Sequence, residues 1–133
     1  MDARDAARRW AETWHRAWEA LDLAAVEALY APDASYVSAP FRSSEPPAAY
    51  LARAFAGESD VRAWFGDPIV DGDRAAVQWW ATLAEDGREI TLAGTSVLRF
   101  DVQGLVVSQW DAWDELNGRR EPPPGWASGN TTA

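Results

Sequence analysis

The sequence contains no cysteine and no lysine, and its only histidine is His15. Without cysteine the chain can form no disulfide, no thiolate nucleophile and no thiolate zinc site. Without lysine it cannot form a Schiff base with a substrate. A single histidine excludes a metal site built from several imidazoles. We therefore expect chemistry, if any, that uses neither a metal nor a cofactor.

Basic residues are few relative to acidic ones, with 12 arginines against 21 aspartates and glutamates and a formal net charge of −9. Nucleic-acid and anionic membrane surfaces are bound through clustered positive charge, so we expect neither as a partner. No apolar run is long enough for a transmembrane helix. The first nine residues alternate in charge, unlike a secretory signal, which predicts a cytoplasmic protein.

Tryptophan, in contrast, is abundant. The nine positions are Trp10, Trp14, Trp18, Trp64, Trp79, Trp80, Trp110, Trp113 and Trp126. Each indole offers a large apolar face and one N–H group that needs an acceptor when it is buried. Such residues can fill a core, line a pocket or build a subunit interface, and the composition alone leaves all three open.

The apolar periodicity predicts helices followed by a meander of strands. Trp10, Trp14 and Trp18 recur at helical spacing and predict a helix over residues 2–20 with these rings on one face. The other predicted elements are helices at 23–30 and 47–56, a short strand at 34–38, and strands at 61–70, 74–84, 88–101 and 105–116. Asp-Gly pairs between the long strands predict hairpin turns.

The last fifteen residues differ in composition from the rest, being rich in proline, glycine, serine and threonine. We predict one folded domain over residues 1–118 and a tail over 119–133. Three successive prolines favour an extended tail that is poorly ordered or lies along the surface. Trp126 is the residue that could dock it.

This order of elements resembles the nuclear transport factor 2-like superfamily. The segments DLAAVEALY at 22–30, APDA at 31–34, VLRF at 97–100 and WDAWD at 110–114 are similar to its SnoaL-like and ketosteroid-isomerase-like branch. The resemblance covers roughly residues 8–118. It implies an α+β fold in which a cone-shaped, strongly curved antiparallel sheet wraps around the N-terminal helices (a cystatin-like α+β barrel). It also implies a pocket at one end of the cone and a homodimer through the outer sheet face.

Local alignment with the steroid isomerases tests one activity of this superfamily. Their catalytic tyrosine, base and protonated aspartate fall at Trp14, at Ser38 or Ala39, and at Ser96. All three positions are substituted, so proton abstraction by that set of groups is not expected. Trp14 and Ser96 could still donate hydrogen bonds to a ligand carbonyl.

Two other activities of the superfamily lead to Asp111. The epoxide-hydrolase-like members use an Asp-Arg-Asp set, of which Asp111 matches one aspartate while Trp79 and Ala81 replace the other two residues. The SnoaL-like cyclases use an aspartate late in the last strand, and Asp111 matches it. Strand alternation puts Val107, Gln109, Asp111 and Trp113 on one face, which the resemblance directs into the cone.

Desolvation in such a cavity would raise the pKa of Asp111 and suit it to general acid or base catalysis. Alternatively, Asp111 caps the pocket rim or pairs with an arginine such as Arg42. Trp80 and Trp110 fall on the opposite strand face, where a dimer interface would cover them. His15 is expected to be a packed or surface residue of the first helix.

Three functions stay open at this point. The first is a protein that binds a small apolar or aromatic ligand in the tryptophan-lined cone without turnover. The second is a cofactor-free cyclase, isomerase or hydrolase-type enzyme with Asp111 as catalytic residue. The third is a cone filled completely by its own tryptophans. The residues expected to contact a ligand are Trp14, Trp18, Ser38, Trp79, Ser96, Gln109 and Trp113.

Overall fold

The computed structural model describes residues 1–127, which form three helices and a six-stranded sheet. The elements are α1 (Ala3–Ala20), α2 (Leu23–Glu27), β1 (Tyr30–Val37), α3 (Pro47–Ala56), β2 (Glu58–Phe65), β3 (Ile69–Asp71), β4 (Arg74–Glu85), β5 (Arg88–Phe100) and β6 (Val106–Asn117). The order of helices and strands is the one that the sequence predicts. None of the helices in residues 1–127 is long and apolar enough to span a membrane.

Helix α1 begins and ends where local chemistry sets its limits. The Asp2 side chain accepts a hydrogen bond from the backbone N–H of Asp5, which caps the first turn. Leu21 adopts a left-handed conformation that closes the last turn. Between these caps the predicted stripe of Trp10, Trp14 and Trp18 is buried against the sheet.

The sheet has the strand order β1-β6-β5-β4-β2, with the short β3 paired to β4. It curls around α1 but does not close, because β1 and β2 are its two edges. The pairs among β2, β4, β5 and β6 are antiparallel as predicted, whereas β1 runs parallel to β6. The predicted α+β class with a strongly curved sheet is confirmed, with this one parallel pair as a difference.

Three predicted elements have different bounds in the structure, namely the helix at 23–30, the strand at 34–38 and the strand at 61–70. Helix α2 stops at Glu27, and Tyr30 already belongs to β1 rather than to a helix. The single strand predicted at 61–70 is divided into β2 and β3, because Pro68 lies between them and offers no N–H for pairing. Strand β2 also starts earlier than predicted, at Glu58, and Asp60 takes a left-handed backbone conformation (φ 51°) where its register shifts.

Turn chemistry fixes the long hairpins. Asp86 and Gly87 both have positive φ and connect β4 to β5, as the Asp-Gly signal predicts. Between β5 and β6 the register shifts next to Phe100, which pairs with Val106. This irregularity buries Val106 and leaves Val107 half-exposed, so the prediction that Val107 shares the inner face is wrong.

Residues 119–127 lie across the outer face of the sheet. Arg119 forms an ion pair with Glu89 and donates hydrogen bonds to the backbone oxygen of Asp60 (2.8 Å) and the hydroxyl of Thr82 (3.3 Å). The Trp80 indole donates to the backbone oxygen of Arg120 at 2.6 Å. The Trp126 ring packs edge-on against Trp80, with 6.0 Å between centroids. The tail thus covers Trp80, which the sequence had assigned to a dimer interface.

Candidate functional site

A cavity of about 50 Å³ lies inside the cone, between α1, α3 and the concave face of the sheet. Nine of its sixteen lining residues are aromatic. These are Trp10, Trp14, Trp18, Tyr36, Tyr50, Phe55, Phe65, Trp79 and Trp113. The remaining lining residues include two carboxylic acids, Glu58 and Asp111.

The aromatic rings pack against one another mostly edge to face. Trp14 contacts Trp18 with 5.5 Å between ring centroids, and Trp18 contacts Trp79 at 5.8 Å. Such pairs are held in place by their quadrupoles as well as by burial. They fill most of the cone, and the space left is far below the roughly 300 Å³ of a typical ligand site. A polycyclic substrate therefore does not fit this arrangement of rings.

Asp111 is buried on the inner face of β6, directly opposite Ser96 of β5. The Ser96 hydroxyl donates a hydrogen bond to Asp111 Oδ1 at 2.6 Å, and Gln109 Nε2 donates to the same oxygen at 3.0 Å. Burial raises the pKa of Asp111 to about 6, although these hydrogen bonds and the Tyr36 hydroxyl oppose the shift. Both of the bonds from Ser96 and Gln109 end on Oδ1, so Oδ2 accepts neither of them.

The two donors to Asp111 are themselves held by a buried hydrogen-bond network. On one side, Trp79 Nε1 donates to Ser96 Oγ at 2.9 Å. On the other side, the Tyr30 hydroxyl donates to Gln109 Oε1 at 2.5 Å, and it accepts from the indoles of Trp10 (3.3 Å) and Trp14 (3.2 Å). The hydrogen bonds of both chains run towards Asp111, so its carboxyl group is the last acceptor of the network.

The indole N–H groups around the cavity all have acceptors within the protein. Besides those in the network, Trp18 donates to Glu58 Oε1 at 2.8 Å and Trp113 donates to the backbone oxygen of Ser38 at 2.6 Å. The rings therefore offer carbon surface to a ligand. The expectation that Trp14 and Ser96 donate to a ligand carbonyl is wrong, because both donors are already used.

Glu58 is a site residue that the sequence reasoning missed. It opens β2, lies largely buried beside Trp18, and desolvation raises its pKa to about 7, with Glu85 adding to the shift. The backbone irregularity at Asp60 interrupts the alternation of inward and outward side chains along β2. Counting along the strand therefore does not identify Glu58 as an inward-facing residue. Tyr36 could have been identified from strand alternation, since it is buried on the same face of β1 as Ala34.

Six of the seven residues predicted to contact a ligand line the cavity, namely Trp14, Trp18, Trp79, Ser96, Gln109 and Trp113. Ser38 does not line the cavity. It is buried, and its backbone oxygen accepts a hydrogen bond from the Trp113 indole. Arg42, considered as an ion-pair partner of Asp111, instead donates to Ser38 Oγ (3.2 Å) and lies 5.3 Å from the centroid of the Trp113 ring.

A second depression, of about 590 Å³, lies outside the cone between α1, the segment joining β2 to β3, and Trp126. Its charged side chains carry both signs and are exposed, as is His15. It lacks the desolvated groups found around Asp111. In the range 1–127 no group of three or more histidine, aspartate or glutamate side chains is placed to hold a metal ion.

Comparison with known proteins agrees with this architecture. A family model described as SnoaL-like domain matches residues 11–109. Three solved structures are similar in fold. An LEH-like epoxide hydrolase of M. tuberculosis aligns with a TM-score of 0.67 and 19% identity over 84% of each chain. PrhC of Penicillium brasilianum aligns with a TM-score of 0.72 and 15% identity over 85% of this chain and 83% of that one.

The third structure is a hypothetical protein of Catenulispora acidiphila with a ketosteroid isomerase-like fold, in complex with trimethylamine. It aligns with a TM-score of 0.66 and 19% identity over 75% of this chain and 81% of that one. At these identities the likeness concerns the fold alone. A search of curated protein sequences finds no significant match. The resemblance read from the sequence is confirmed by the family match and by these folds.

Proposed function

The chain belongs to the SnoaL-like domain family, and on that premise we propose that its aromatic cavity binds a small molecule of only a few heavy atoms. The observation that carries this proposal is an aromatic cavity that has a buried carboxyl group, Asp111, in its wall. A void of 50 Å³ costs stability on the order of 1 kcal/mol. A desolvated carboxyl adds to that cost, and such costs are typical of functional sites.

The size of the cavity sets the size of the ligand. A buried water needs roughly 10–15 Å³ of such space, so 50 Å³ holds only a few atoms of that size. The small apolar or aromatic ligand expected from the sequence is thereby narrowed to a compact molecule. The trimethylamine bound by the Catenulispora protein is a compact ligand on the same type of fold, which supports this size range.

Substitution of Ala54, which lines the cavity from α3, tests the proposed site. Ala54→Leu adds atoms where the ligand would lie and should abolish binding of any compound found by tryptophan fluorescence or NMR screening of compact molecules. Ala52→Leu makes the same change on the exposed side of the same helix and should leave binding unchanged. Equal affinity in both variants would move the binding site away from the cavity.

Catalysis is the second candidate, and the state of Asp111 favours it. A buried carboxyl with a pKa near 6 in the wall of a cavity can give or take a proton near neutral pH. The role would be general acid or base on a compact substrate, with Ser96 and Gln109 holding the carboxyl in place. The groups used by the steroid isomerases and the second acid of the epoxide hydrolases are absent, so binding without turnover ranks first.

The two candidate functions, binding without turnover and catalysis, can be distinguished once a ligand is identified. The ligand is incubated with the protein for a day and its NMR spectrum is followed. A ligand recovered unchanged supports binding alone. Conversion that is lost in Asp111→Asn but kept in Asp114→Asn, a matched change on the exposed face of β6, assigns the proton transfer to Asp111.

A homodimer through the outer sheet face belongs to the same proposal. What supports it is apolar surface on β5 and β6, where Trp110 is 56% exposed and its register partner Val97 is 43% exposed. The interface excludes Trp80, which the tail covers. Light scattering at micromolar concentration should give a dimeric mass that Trp110→Arg reduces to a monomer. Val102→Arg, an exposed change in the loop after β5, is the control.

A further inference from the structure

The polar groups that line the cavity are unbalanced in charge. Two of the sixteen lining residues are carboxylic acids, and none is arginine, lysine or histidine. Glu58 enters from β2 and Asp111 from β6, and β4 and β5 separate these two strands in the sheet. A ligand in the cavity would therefore lie between two carboxyl groups without a compensating positive charge in the lining.

The supply of hydrogen-bond donors is equally one-sided. All five indole N–H groups of the lining are donated to protein acceptors, and the Ser96 hydroxyl and the Gln109 amide are both bonded to Asp111. A carbonyl or an anion would therefore find few donors here. A group that donates hydrogen bonds or carries positive charge would find acceptors on the carboxyls of Glu58 and Asp111.

We propose that the ligand is a compact organic cation, of the alkylammonium class, surrounded by the aromatic rings and held between the carboxylates of Glu58 and Asp111. This inference rests on the proposed binding function and adds the chemical class of the ligand. Aromatic rings stabilise a cation through the negative face of their π-systems, most strongly where water is excluded. The cavity lining, with many aromatic rings, two acids and no basic side chain, provides the environment that such a cation requires.

Two aromatic rings of the cavity already lie close to a positive charge. The Arg42 guanidinium lies 5.3 Å from the centroid of the Trp113 ring, and the Arg53 guanidinium lies 5.6 Å from that of Tyr50. Both arginines are exposed to solvent and neither lines the cavity. Their repulsion of a bound cation is therefore screened, whereas the two carboxyls act on it across a desolvated space.

Protonation of the two acids should control this binding. The pKa values of about 6 for Asp111 and about 7 for Glu58 mean that both are ionised at pH 8 and both are protonated at pH 5. The groups around Asp111 are Ser96, Gln109 and the hydroxyls of Tyr30, Tyr36 and Tyr50, and those around Glu58 are Trp18 and Glu85. None of them titrates from neutral to positive in this range. Affinity for a cation should therefore rise from pH 5 to pH 8.

The test compares tert-butylammonium chloride with tert-butanol, which have the same shape and both donate a hydrogen bond but differ in charge. Binding is followed by tryptophan fluorescence and calorimetry at pH 8 and pH 5, at constant ionic strength. At pH 8 the ammonium ion should bind at least about tenfold more tightly than the alcohol. At pH 5 this preference should disappear.

Isosteric variants assign the effect to the two acids. Asp111→Asn and Glu58→Gln should each reduce affinity for the ammonium ion at pH 8 by about tenfold and leave that for tert-butanol unchanged. Asp114→Asn, exposed on the same strand, removes the same charge and should change neither affinity. Two independent variants keep the test valid if one of them does not fold.

The outcomes separate this inference from the function beneath it. Alcohol binding that equals or exceeds ammonium binding at pH 8 overturns the cation class and leaves small-molecule binding in place. Failure of both probes to bind at millimolar concentration overturns the cavity as a binding site altogether. Ammonium binding that the Asp111 and Glu58 variants do not weaken places the cation elsewhere on this acidic protein and also overturns the inference.

Discussion

Ser96 and Asp111 lie opposite each other on neighbouring strands, and the Ser96 hydroxyl joins the Trp79 indole to the Asp111 carboxyl by accepting from one and donating to the other. A single hydroxyl group thus satisfies a buried N–H donor and stabilises a buried carboxylate. Both would be left without this partner if the hydroxyl were removed, and leaving buried polar groups unpaired costs more than the bonds themselves contribute.

Ser96→Ala should therefore lower the free energy of unfolding by about 1–3 kcal/mol and raise the pKa of Asp111 above about 6. The loss should be larger at pH 8 than at pH 5, because the missing hydrogen bond stabilises the ionised carboxyl. Urea denaturation at the two pH values measures it. Ser43→Ala, in an exposed loop, should have no effect. Equal stability of both variants would remove Ser96 from the network.

Asp111→Asn should change how stability depends on pH. Because the pKa of Asp111 is raised from 3.8 to about 6, the folded protein keeps a proton that the unfolded chain has lost between these values. Rising pH then favours unfolding across this window, by on the order of 3 kcal/mol, and the effect levels off above pH 6. The variant should lack the contribution of Asp111 and keep that of Glu58, whose pKa is raised to about 7. Urea denaturation from pH 4 to pH 8 compares it with Asp114→Asn, which should show both contributions.

Gly94→Ala should destabilise the protein by about 1–3 kcal/mol or displace Trp113. A Cβ atom at Gly94 would lie 2.4 Å from the backbone oxygen of Ala112 and 2.6 Å from Trp113 Cβ. The same substitution at Gly57 would approach only the flexible Asp86 carboxylate, at 3.1 Å, and should be tolerated. Thermal denaturation and near-UV circular dichroism, which reports on tryptophan packing, compare the two variants. An unaffected Gly94→Ala protein would contradict the close approach of β5 and β6.

Arg119→Ala should loosen the tail from the sheet. The substitution removes the ion pair with Glu89 and the hydrogen bonds to Asp60 and Thr82, at a cost of about 1 kcal/mol. Arg120→Ala is a matched control, because Arg120 contacts the sheet through its backbone N–H and oxygen. Limited proteolysis within the tail should become faster in the first variant alone. Identical cleavage rates would show that the side chain of Arg119 does not hold the tail.

The sequence was sufficient to predict the fold and the residues that α1 and β6 contribute to the site. Helical spacing of Trp10, Trp14 and Trp18, and strand alternation around Asp111, each depend on a local period that the backbone keeps. Regular elements with clear periods place side chains reliably, and the structure puts these residues where the periods predict.

Glu58, the second acid of the cavity, could not be predicted because the strand alternation of β2 is interrupted near it. The left-handed residue Asp60 shifts the register of β2, and the inner face of that strand cannot then be counted from either end. Tyr30 was missed for a different reason, since its segment reads as helix and only pairing with β6 makes it a strand. Because the Tyr30 hydroxyl sets the direction of the hydrogen bonds that lead to Gln109, the sequence could not predict that direction either.

The size of the cavity depends on how large rings pack, which no local pattern contains. Nine aromatic residues can enclose a wide pocket or fill it, and the difference lies in side-chain rotamers set by many neighbours at once. In this chain the edge-to-face pairs among Trp14, Trp18 and Trp79 leave a small space. The small apolar or aromatic ligand expected from the sequence is narrowed to a compact molecule for that reason.

The segment that covers Trp80 also bears on how many copies can assemble. Without it, the outer face would carry two unlike apolar areas, one around Trp80 and one around Trp110. Subunits that join through two unlike areas meet head to tail, and such a contact closes only for particular rotations and otherwise extends into a filament. By covering one area with its own chain, the molecule leaves the area around Trp110 for the proposed homodimer, and an assembly through one area that pairs with its own copy would stop at two.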